Sequence, residues 1–407
     1  MMPLPAFAPA PTSRVRRVLP GGLALTGAAL TFTSLYLAAG ALMPLLVVYQ
    51  QQWDLAPAVL ALAFAVFAVG FLAAVLTVGS LSDHVGRRPV LFGALTVQLV
   101  SNVAFLIAPD VGWVIAGRVL QGIATGAATT AFTAALVEIA PPNRKRLGVI
   151  LGSICLTGGL ASGSLLAGLL IQFTTTANST IFIGLTVATI LGVAVIAFCP
   201  ESMARTPGAL RSLLPRIAVP SSARAEFVAG APVIAAVWML SGLSGGLSPA
   251  MVRSIFHVDS GLLNGVSGFV APAASVGIGL GFARLDPRRS MIIGIFMSIV
   301  GAAVIVGGLA GGWLPVMIIG QAIGGAGFGA SFTAFLRLVV RLVAPHEHAG
   351  IAALTYLVSY SAFGIPVVIA GFVVGRLGME STVFWYAGVT VLLALISLRA
   401  QLQINRG

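Results

Sequence analysis

Long apolar segments separated by short polar breaks run through nearly the whole chain. Each segment is about 20 residues long, the length that an α-helix needs to cross the hydrocarbon core of a bilayer. Membrane β-barrels show instead alternating segments of about 10 residues. The pattern therefore predicts twelve membrane helices, at 23–49, 57–80, 90–108, 112–138, 147–172, 181–199, 227–251, 262–282, 290–309, 314–339, 350–375 and 382–399.

The breaks divide the chain into two sets of six helices. The longest break, 200–226, contains several Pro and Arg residues and separates a first half, 23–199, from a second half, 227–399. Residues 1–22 and 400–407 are then terminal tails. The apolar run that follows residue 22 is too long for a signal peptide, so we interpret it as the first helix.

Composition excludes a soluble fold. Hydrophobic residues make up 58% of the chain and charged residues 8%, against about 25% charged in an average soluble domain. Of the 22 basic residues, 19 fall on one side if the loops alternate across the membrane, with Arg253 and Arg376 on the other side and Arg118 inside a helix. Basic loops favour the cytoplasm, so both tails and the 200–226 loop are expected there. This sorting explains the net charge of +12 without nucleic acid.

The two halves resemble each other in sequence. At a shift of 203 residues, Gly122, Gly126 and Phe132 meet Gly325, Gly329 and Phe335. Repeated halves imply a pseudo-two-fold axis with a binding site at their interface, near the middle of the membrane.

The segment from Gly79 to Pro89, between the second and third predicted helices, reads GSLSDHVGRRP. It resembles the signature loop of the major facilitator superfamily, G-x-L-[SA]-D-[RH]-x-G-R-[RK], at every position. Asp83 is expected to accept hydrogen bonds from a neighbouring helix N-terminus, and Arg87 to pair with Glu138. In that family the cluster latches the cytoplasmic side in one conformation. The latch residues implied here are Gly79, Asp83, Gly86, Arg87, Arg88 and Glu138.

The fourth predicted helix contains Arg118, the only charge deep inside any predicted helix. Its surroundings, GRVLQGIATG, are similar to the second motif of the same family. An intramembrane charge normally faces a cavity or a partner, so we expect a cavity or coupling role for Arg118. Gln121 lies on the same helix face, and Gln321 is the counterpart of Arg118 in the second half.

The fifth predicted helix carries Gly159, Gly163, Ser164 and Gly168. This stretch resembles a third family motif, G-x3-G-P-x2-G-G, which is associated with exporters, although Ser164 replaces the Pro and Ala167 replaces a Gly. Small residues at this spacing allow helices to pack closely. Plain helix packing is the alternative interpretation of these glycines.

Polar and aromatic residues in helices that face the central cavity of the family are candidates for binding substrate. Packing or lipid-facing placement is the alternative for each of them. The candidates are Tyr36, Trp238, Gln321, Tyr356 and Tyr360.

Several catalytic patterns are missing from the sequence. The single lysine, Lys145, does not lie in a phosphate-binding loop, and no H-E-x-x-H or G-x-S-x-G pattern occurs. We therefore expect no enzymatic activity, no cofactor and no metal. Transport would have to be driven by a gradient.

The resemblance implies an all-α, polytopic membrane protein of the major facilitator fold, with twelve helices in two pseudo-symmetric halves that work by alternating access. The first hypothesis is a proton-driven exporter of small apolar, neutral or anionic compounds, in a bacterial cytoplasmic membrane and as a monomer. The second is an importer or facilitator of a metabolite such as an organic anion or a sugar. A membrane enzyme or a receptor is a third class, which no motif supports.

Overall fold

The computed structural model describes residues 18–201, 203, 206–214, 219–344 and 347–404. Within them, all twelve expected membrane helices are present, which confirms the predicted all-α fold class. The helices are α1 Gly21–Gln52, α2 Pro57–Val78, α3 Arg87–Leu106, α4 Val111–Ile139, α5 Lys145–Phe173, α6 Ala177–Phe198, α7 Ser221–Ser254, α8 Gly261–Gly281, α9 Pro287–Ala310, α10 Leu314–Val340, α11 His348–Leu377 and α12 Met379–Ile404.

Helix ends extend past the expected boundaries where polar residues continue the helix beyond its apolar stretch. Helix α7 begins at Ser221 rather than 227, which shortens the 200–226 loop, and α12 continues to Ile404 rather than ending at 399. Helix α1 begins at Gly21, inside the expected 1–22 tail. Hydropathy locates only the apolar part of each helix. The arginines of the amino-terminal tail lie outside the described residues.

The repeat seen in the sequence corresponds to a repeated helix contact. A Cβ built on Gly122 of α4 would lie 2.2 Å from the carbonyl oxygen of Phe67 on α2, and one on Gly325 of α10 would lie 2.2 Å from that of Ala271 on α8. The next glycine on each helix repeats the contact, Gly126 against Phe71 and Gly329 against Ser275. Each pair of helices therefore touches backbone to backbone, as small residues allow.

Loops alternate between two ends of the helix bundle. We call the end that carries residues 79–86 and 140–144 the signature end, and the end that carries residues 53–56 and 255–260 the opposite end. Near the opposite end the two halves are in tight contact. A Cβ on Gly168 of α5 would lie 2.6 Å from the carbonyl oxygen of Gly261 on α8, and one on Gly371 of α11 would lie 2.4 Å from Cβ of Ala61 on α2.

Helix α7 is not regular throughout. Residues Leu243–Leu247 form one π-helical turn, a feature that often marks functional sites. An added Cβ on Gly246 in this turn would lie 2.8 Å from the ring of Phe64 on α2. The widened turn therefore lies at the contact between the two halves.

Candidate functional site

A cavity of about 80 Å³ lies between the two halves. Both halves contribute to its wall, which is mainly apolar and aromatic. The residues that the argument below uses are Phe64, Phe67 and Arg118 from the first half, and Trp238, Gln321, Tyr360 and Phe363 from the second.

Arg118 is buried in the wall of this cavity, with 3% of its surface exposed. Its Nε donates to the carbonyl oxygen of Ala63 at 3.2 Å, and its Nη2 donates to that of Phe64 at 2.9 Å. Its Nη1 donates to Oε1 of Gln121 at 2.7 Å. The guanidinium thus joins α4 to α2 through hydrogen bonds, and these offset part of the cost of burying the charge.

Aromatic rings cover the same guanidinium. Its central carbon lies 4.7 Å from the ring centre of Phe67 and 5.8 Å from that of Phe64. These are cation–π distances. The chain's ten carboxylates are all described, and each lies in a loop or within six residues of a helix end. None of them lines the cavity, so Arg118 is the only charged side chain among the described residues of the wall.

The second half contributes an aromatic cluster around Trp238. The ring centre of Trp238 lies 4.8 Å from that of Tyr360, 5.2 Å from that of Phe328 and 5.9 Å from that of Phe363. The ring centre of Phe363 in turn lies 5.0 Å from that of Phe64 in the first half. Aromatic side chains from both halves therefore meet at the centre of the bundle.

An aromatic layer separates this cavity from a second one nearer the signature end. The ring of Phe71 on α2 stacks on that of Tyr360 on α11, with centres 4.0 Å apart, and lies 6.0 Å from that of Tyr356. Tyr360 lines the central cavity, and Tyr356 lines the second one, which also contacts Asp83. One residue from the first half and two from the second therefore close the passage between the two spaces.

Arg87 organises the signature loop. Its Nη2 lies 2.9 Å from Oε1 of Glu138, the partner expected from the sequence, and its Nη1 lies 2.5 Å from Oδ1 of Asp83. Nη1 also donates to the hydroxyl of Ser82 at 2.7 Å. All four residues belong to the first half, so these bonds shape the loop within that half.

The carboxylate at the N-terminus of α3 belongs to Glu201, which corrects the expectation for Asp83. The backbone N–H groups of Arg87 and Arg88 donate to the two oxygens of Glu201 at 2.9 and 3.0 Å. Gly86 precedes them with φ +101°, and an added Cβ would lie 2.8 Å from Oε2 of Glu201. Arg88 caps the end of α6, donating from Nε to the carbonyl oxygen of Ile196 at 3.0 Å.

Part of the connection between the halves lies against the signature loop. The backbone N–H of Thr206 donates to the carbonyl oxygen of His84 at 2.9 Å. The hydroxyl of Ser80 donates to the carbonyl oxygen of Ser212 at 2.9 Å, in the short helix Ala209–Ser212. The connection is therefore fixed to the first half at these points.

The sequence matches the family model described as Major Facilitator Superfamily over residues 28–285. This match covers more than half of the chain. The chain belongs to the major facilitator superfamily. It is thus a multi-pass membrane protein of a transporter family.

Solved structures of other transporters share this fold. A peptide transporter, POT, in complex with alafosfalin has a TM-score of 0.77 at 14% identity, with 95% of each chain covered. The human organic anion transporter MFSD10 has a TM-score of 0.68 at 17% identity, covering 93% of this chain and all of that one. A POT family transporter in complex with 5-aminolevulinic acid has a TM-score of 0.75 at 12% identity, covering 95% and 97%. At such identities the likeness establishes the fold alone.

The structure distributes the site residues expected from the family motifs over several places. Tyr36, Arg118, Trp238, Gln321 and Tyr360 line the central cavity. Gln121 does not line it, and its Oε1 accepts a hydrogen bond from Arg118, which does. Tyr356 lines the second cavity instead.

The glycine motif of α5 contacts two different helices. Gly159 and Gly163 pack on the α1 backbone, where added Cβ atoms would lie 2.7 Å from the carbonyl oxygen of Thr33 and 2.1 Å from that of Leu37. Ser164 contacts α8 in the other half, and its hydroxyl donates to the carbonyl oxygen of Gly265 at 3.0 Å. Gly168 packs on α8 as well, so only the second part of the motif joins the halves. Gly79, in the signature loop, lies beside Thr130 of α4, with 3.7 Å to an added Cβ.

Sequence reasoning missed two kinds of site residue. Glu201 is one, because its capping role depends on a contact 114 residues away along the chain. Phe64 and Phe67 lie three residues apart on one face of α2, but 22 phenylalanines in an apolar chain hide that signal. Among the described residues, no group of three or more His, Cys, Asp or Glu side chains is placed to hold a metal ion.

Proposed function

We propose that this protein exports small apolar, neutral or anionic compounds by alternating access, driven by a proton gradient. The observation that carries the proposal is the central cavity between the two halves. Its wall is aromatic, includes a buried guanidinium and contains no carboxylate among the described lining residues. Such a wall favours uncharged or negative ligands over cations.

The signature end would face the cytoplasm, because basic residues concentrate in the loops at that end. The described conformation is packed closely at the opposite end, where Gly168 contacts α8 and Gly371 contacts α2. The cavities would then be loaded from the cytoplasmic side. The aromatic layer of Phe71, Tyr356 and Tyr360 is the remaining barrier on that route.

The transport step would separate the halves at the opposite end and bring them together at the signature end. Rocking of two halves around a central site is the general scheme for such repeats. We propose that the loop held by Asp83, Arg87 and Glu138 then latches against the second half. In the described conformation their ion pairs lie within the first half, so the loop already has its shape.

The proton would be carried near a helix end, since no carboxylate lines the cavity. Glu138 is our candidate because it lies at the end of α4 and is paired with Arg87, whose movement would change its surroundings. Asp54, beside the end of α1, is the other candidate. The protein would act as a monomer in the cytoplasmic membrane of a bacterium, with a small-molecule substrate, the proton and the lipid bilayer as its partners.

The test is accumulation of three fluorescent reporters, one cationic, one neutral and one anionic, in a bacterium that lacks its own efflux pumps. We expect the protein to lower accumulation of the neutral or the anionic reporter, and a protonophore to restore it. Arg118→Ala should abolish the effect, whereas Arg376→Ala, at an exposed position near the opposite end, should not. No change with any reporter at confirmed expression would contradict export.

A facilitator or importer of a small metabolite is the second candidate. The lack of any carboxylate along the cavity favours it, because an uncoupled carrier needs no proton-binding group there. Reporter movement that follows its own gradient in either direction, unaffected by the protonophore, would support this alternative.

A further inference from the structure

Two polar atoms in the wall formed by the second half have no hydrogen-bond partner among the described residues. They are Nε1 of Trp238 and Oε1 of Gln321. Both side chains line the central cavity, and they are 9% and 1% exposed. The other end of the Gln321 amide is already bonded to the hydroxyl of Ser248. A buried indole N–H usually has an acceptor, so an acceptor is missing beside Trp238.

The wall formed by the first half supplies positive charge. Three of the five N–H groups of Arg118 donate to protein oxygens, on Ala63, Phe64 and Gln121. The guanidinium therefore offers a ligand its positive charge. A positive ligand would be repelled, and no lining carboxylate among the described residues would compensate.

Rings from both halves define the shape of the space. Phe64 faces Phe363 with ring centres 5.0 Å apart, and Trp238 lies 4.8 Å from Tyr360. Aromatic side chains interact with one another by offset stacking or edge-to-face contact. A flat ring system would make the same kind of contact if it packed against the cavity side of these rings.

We propose that the ligand of this cavity is a flat aromatic molecule that bears a carbonyl or carboxylate oxygen and no positive charge, with the oxygen accepting from Nε1 of Trp238. This inference rests on the proposed transport function and names the substrate class of the same site. An aromatic hydrocarbon would fill the space but leave the indole N–H unpaired. An aromatic cation would meet the charge of Arg118.

Four naphthalene derivatives of similar size test the proposal by direct binding. The full-length protein in nanodiscs of zwitterionic lipid is dialysed against naphthamide, naphthoate, aminomethylnaphthalene or unsubstituted naphthalene, with empty nanodiscs subtracted. We expect naphthamide and naphthoate to bind at least tenfold more tightly than the cationic amine. Trp238→Phe keeps a ring and removes the N–H. It should weaken the binding of naphthamide about tenfold and that of naphthalene less than twofold.

Trp385→Phe is the matched control, because Trp385 is 71% exposed and does not line the cavity. Three results would overturn the inference. The amine could bind as tightly as naphthamide and naphthoate or more tightly, Trp238→Phe could weaken the binding of naphthamide and of naphthalene equally, or no probe could bind. If Trp238→Phe does not fold, the affinities of the four probes for the unaltered protein still test the preference against positive charge and for an acceptor oxygen. Binding requires no gradient. If the probes bind as expected but the cells show no export, only the proposed function is refuted. Export that prefers the cation would refute this inference and the charge preference of the proposed function, but not gradient-driven export itself.

Discussion

Single residues at the signature loop have roles that depend on their backbone. Gly86 combines a positive φ with the close approach of the Glu201 carboxylate, which caps α3. A side chain here would strain the backbone and displace the carboxylate. The same loop contains five of the six latch candidates, Gly79, Asp83, Gly86, Arg87 and Arg88, so their placement depends on the backbone at Gly86.

We predict that Gly86→Ala lowers the stability of the protein by about 1–3 kcal/mol, the range of a residue held in an unfavourable backbone region. Thermal unfolding of the purified protein in detergent measures the loss. Gly93→Ala is the control, because a Cβ on Gly93 of α3 meets no atom within 4 Å. It should be neutral or slightly stabilising, since Ala favours a helix over Gly. Equal effects of the two substitutions would contradict the role of Gly86.

The planar guanidinium of Arg118 bonds three protein oxygens at once. Two nitrogens reach the adjacent carbonyl oxygens of Ala63 and Phe64, and a third reaches Gln121. A lysine has a compact ammonium group and does not reproduce this fork. We predict that Arg118→Lys lowers the rate of reporter transport at least tenfold, which is about 1.4 kcal/mol, although the charge is kept. Transport at the original rate would show that charge alone matters.

At the scale of helices, the contact between the halves depends on small residues near the opposite end. Gly168 of α5 and Gly371 of α11 are related by the repeat and contact α8 and α2. The sequence predicted the number of helices, their order and the close-packing glycines, because these depend on local composition. It did not predict which helix each glycine meets, since that depends on how the two halves are placed.

We predict that Gly168→Leu opens the opposite end, because its Cβ would lie 2.6 Å from the carbonyl oxygen of Gly261. The cavity residue Ser244, replaced as Ser244→Cys, should then react with a membrane-impermeant thiol reagent added from the opposite side. The native Cys155 and Cys199 are buried and give little background. Gly184→Leu is the control, because a Cβ there meets no atom within 4 Å. Unchanged labelling in Gly168→Leu would refute this closure.

At the scale of the whole molecule, orientation in the membrane follows from the distribution of charge. The sequence was informative here, because arginines in loops are visible without a fold. The candidate site was only partly predictable. Arg118 and Trp238 were found from charge and residue type, but the rings of Phe64 and Phe67 are distinguished from other phenylalanines only by their position in the fold.

We predict that the carboxy terminus lies in the cytoplasm. A green fluorescent protein fused after Gly407 should be fluorescent, and alkaline phosphatase fused there should be inactive. The same reporters fused within the loop at 311–313, near the opposite end, should behave in the reverse way. Active phosphatase after Gly407 would show that the protein is inserted in the other direction.

The single charge of the cavity wall also has an electrical consequence. In an alternating-access cycle the guanidinium of Arg118 moves with α4, and no carboxylate of the wall moves with it. One charge crossing the whole membrane at 100 mV corresponds to about 2.3 kcal/mol, so a displacement through a quarter of the field contributes about 0.6 kcal/mol. In the cycle proposed above, the membrane voltage alone would therefore bias the resting orientation of the empty carrier, and a bound anion would cancel that bias.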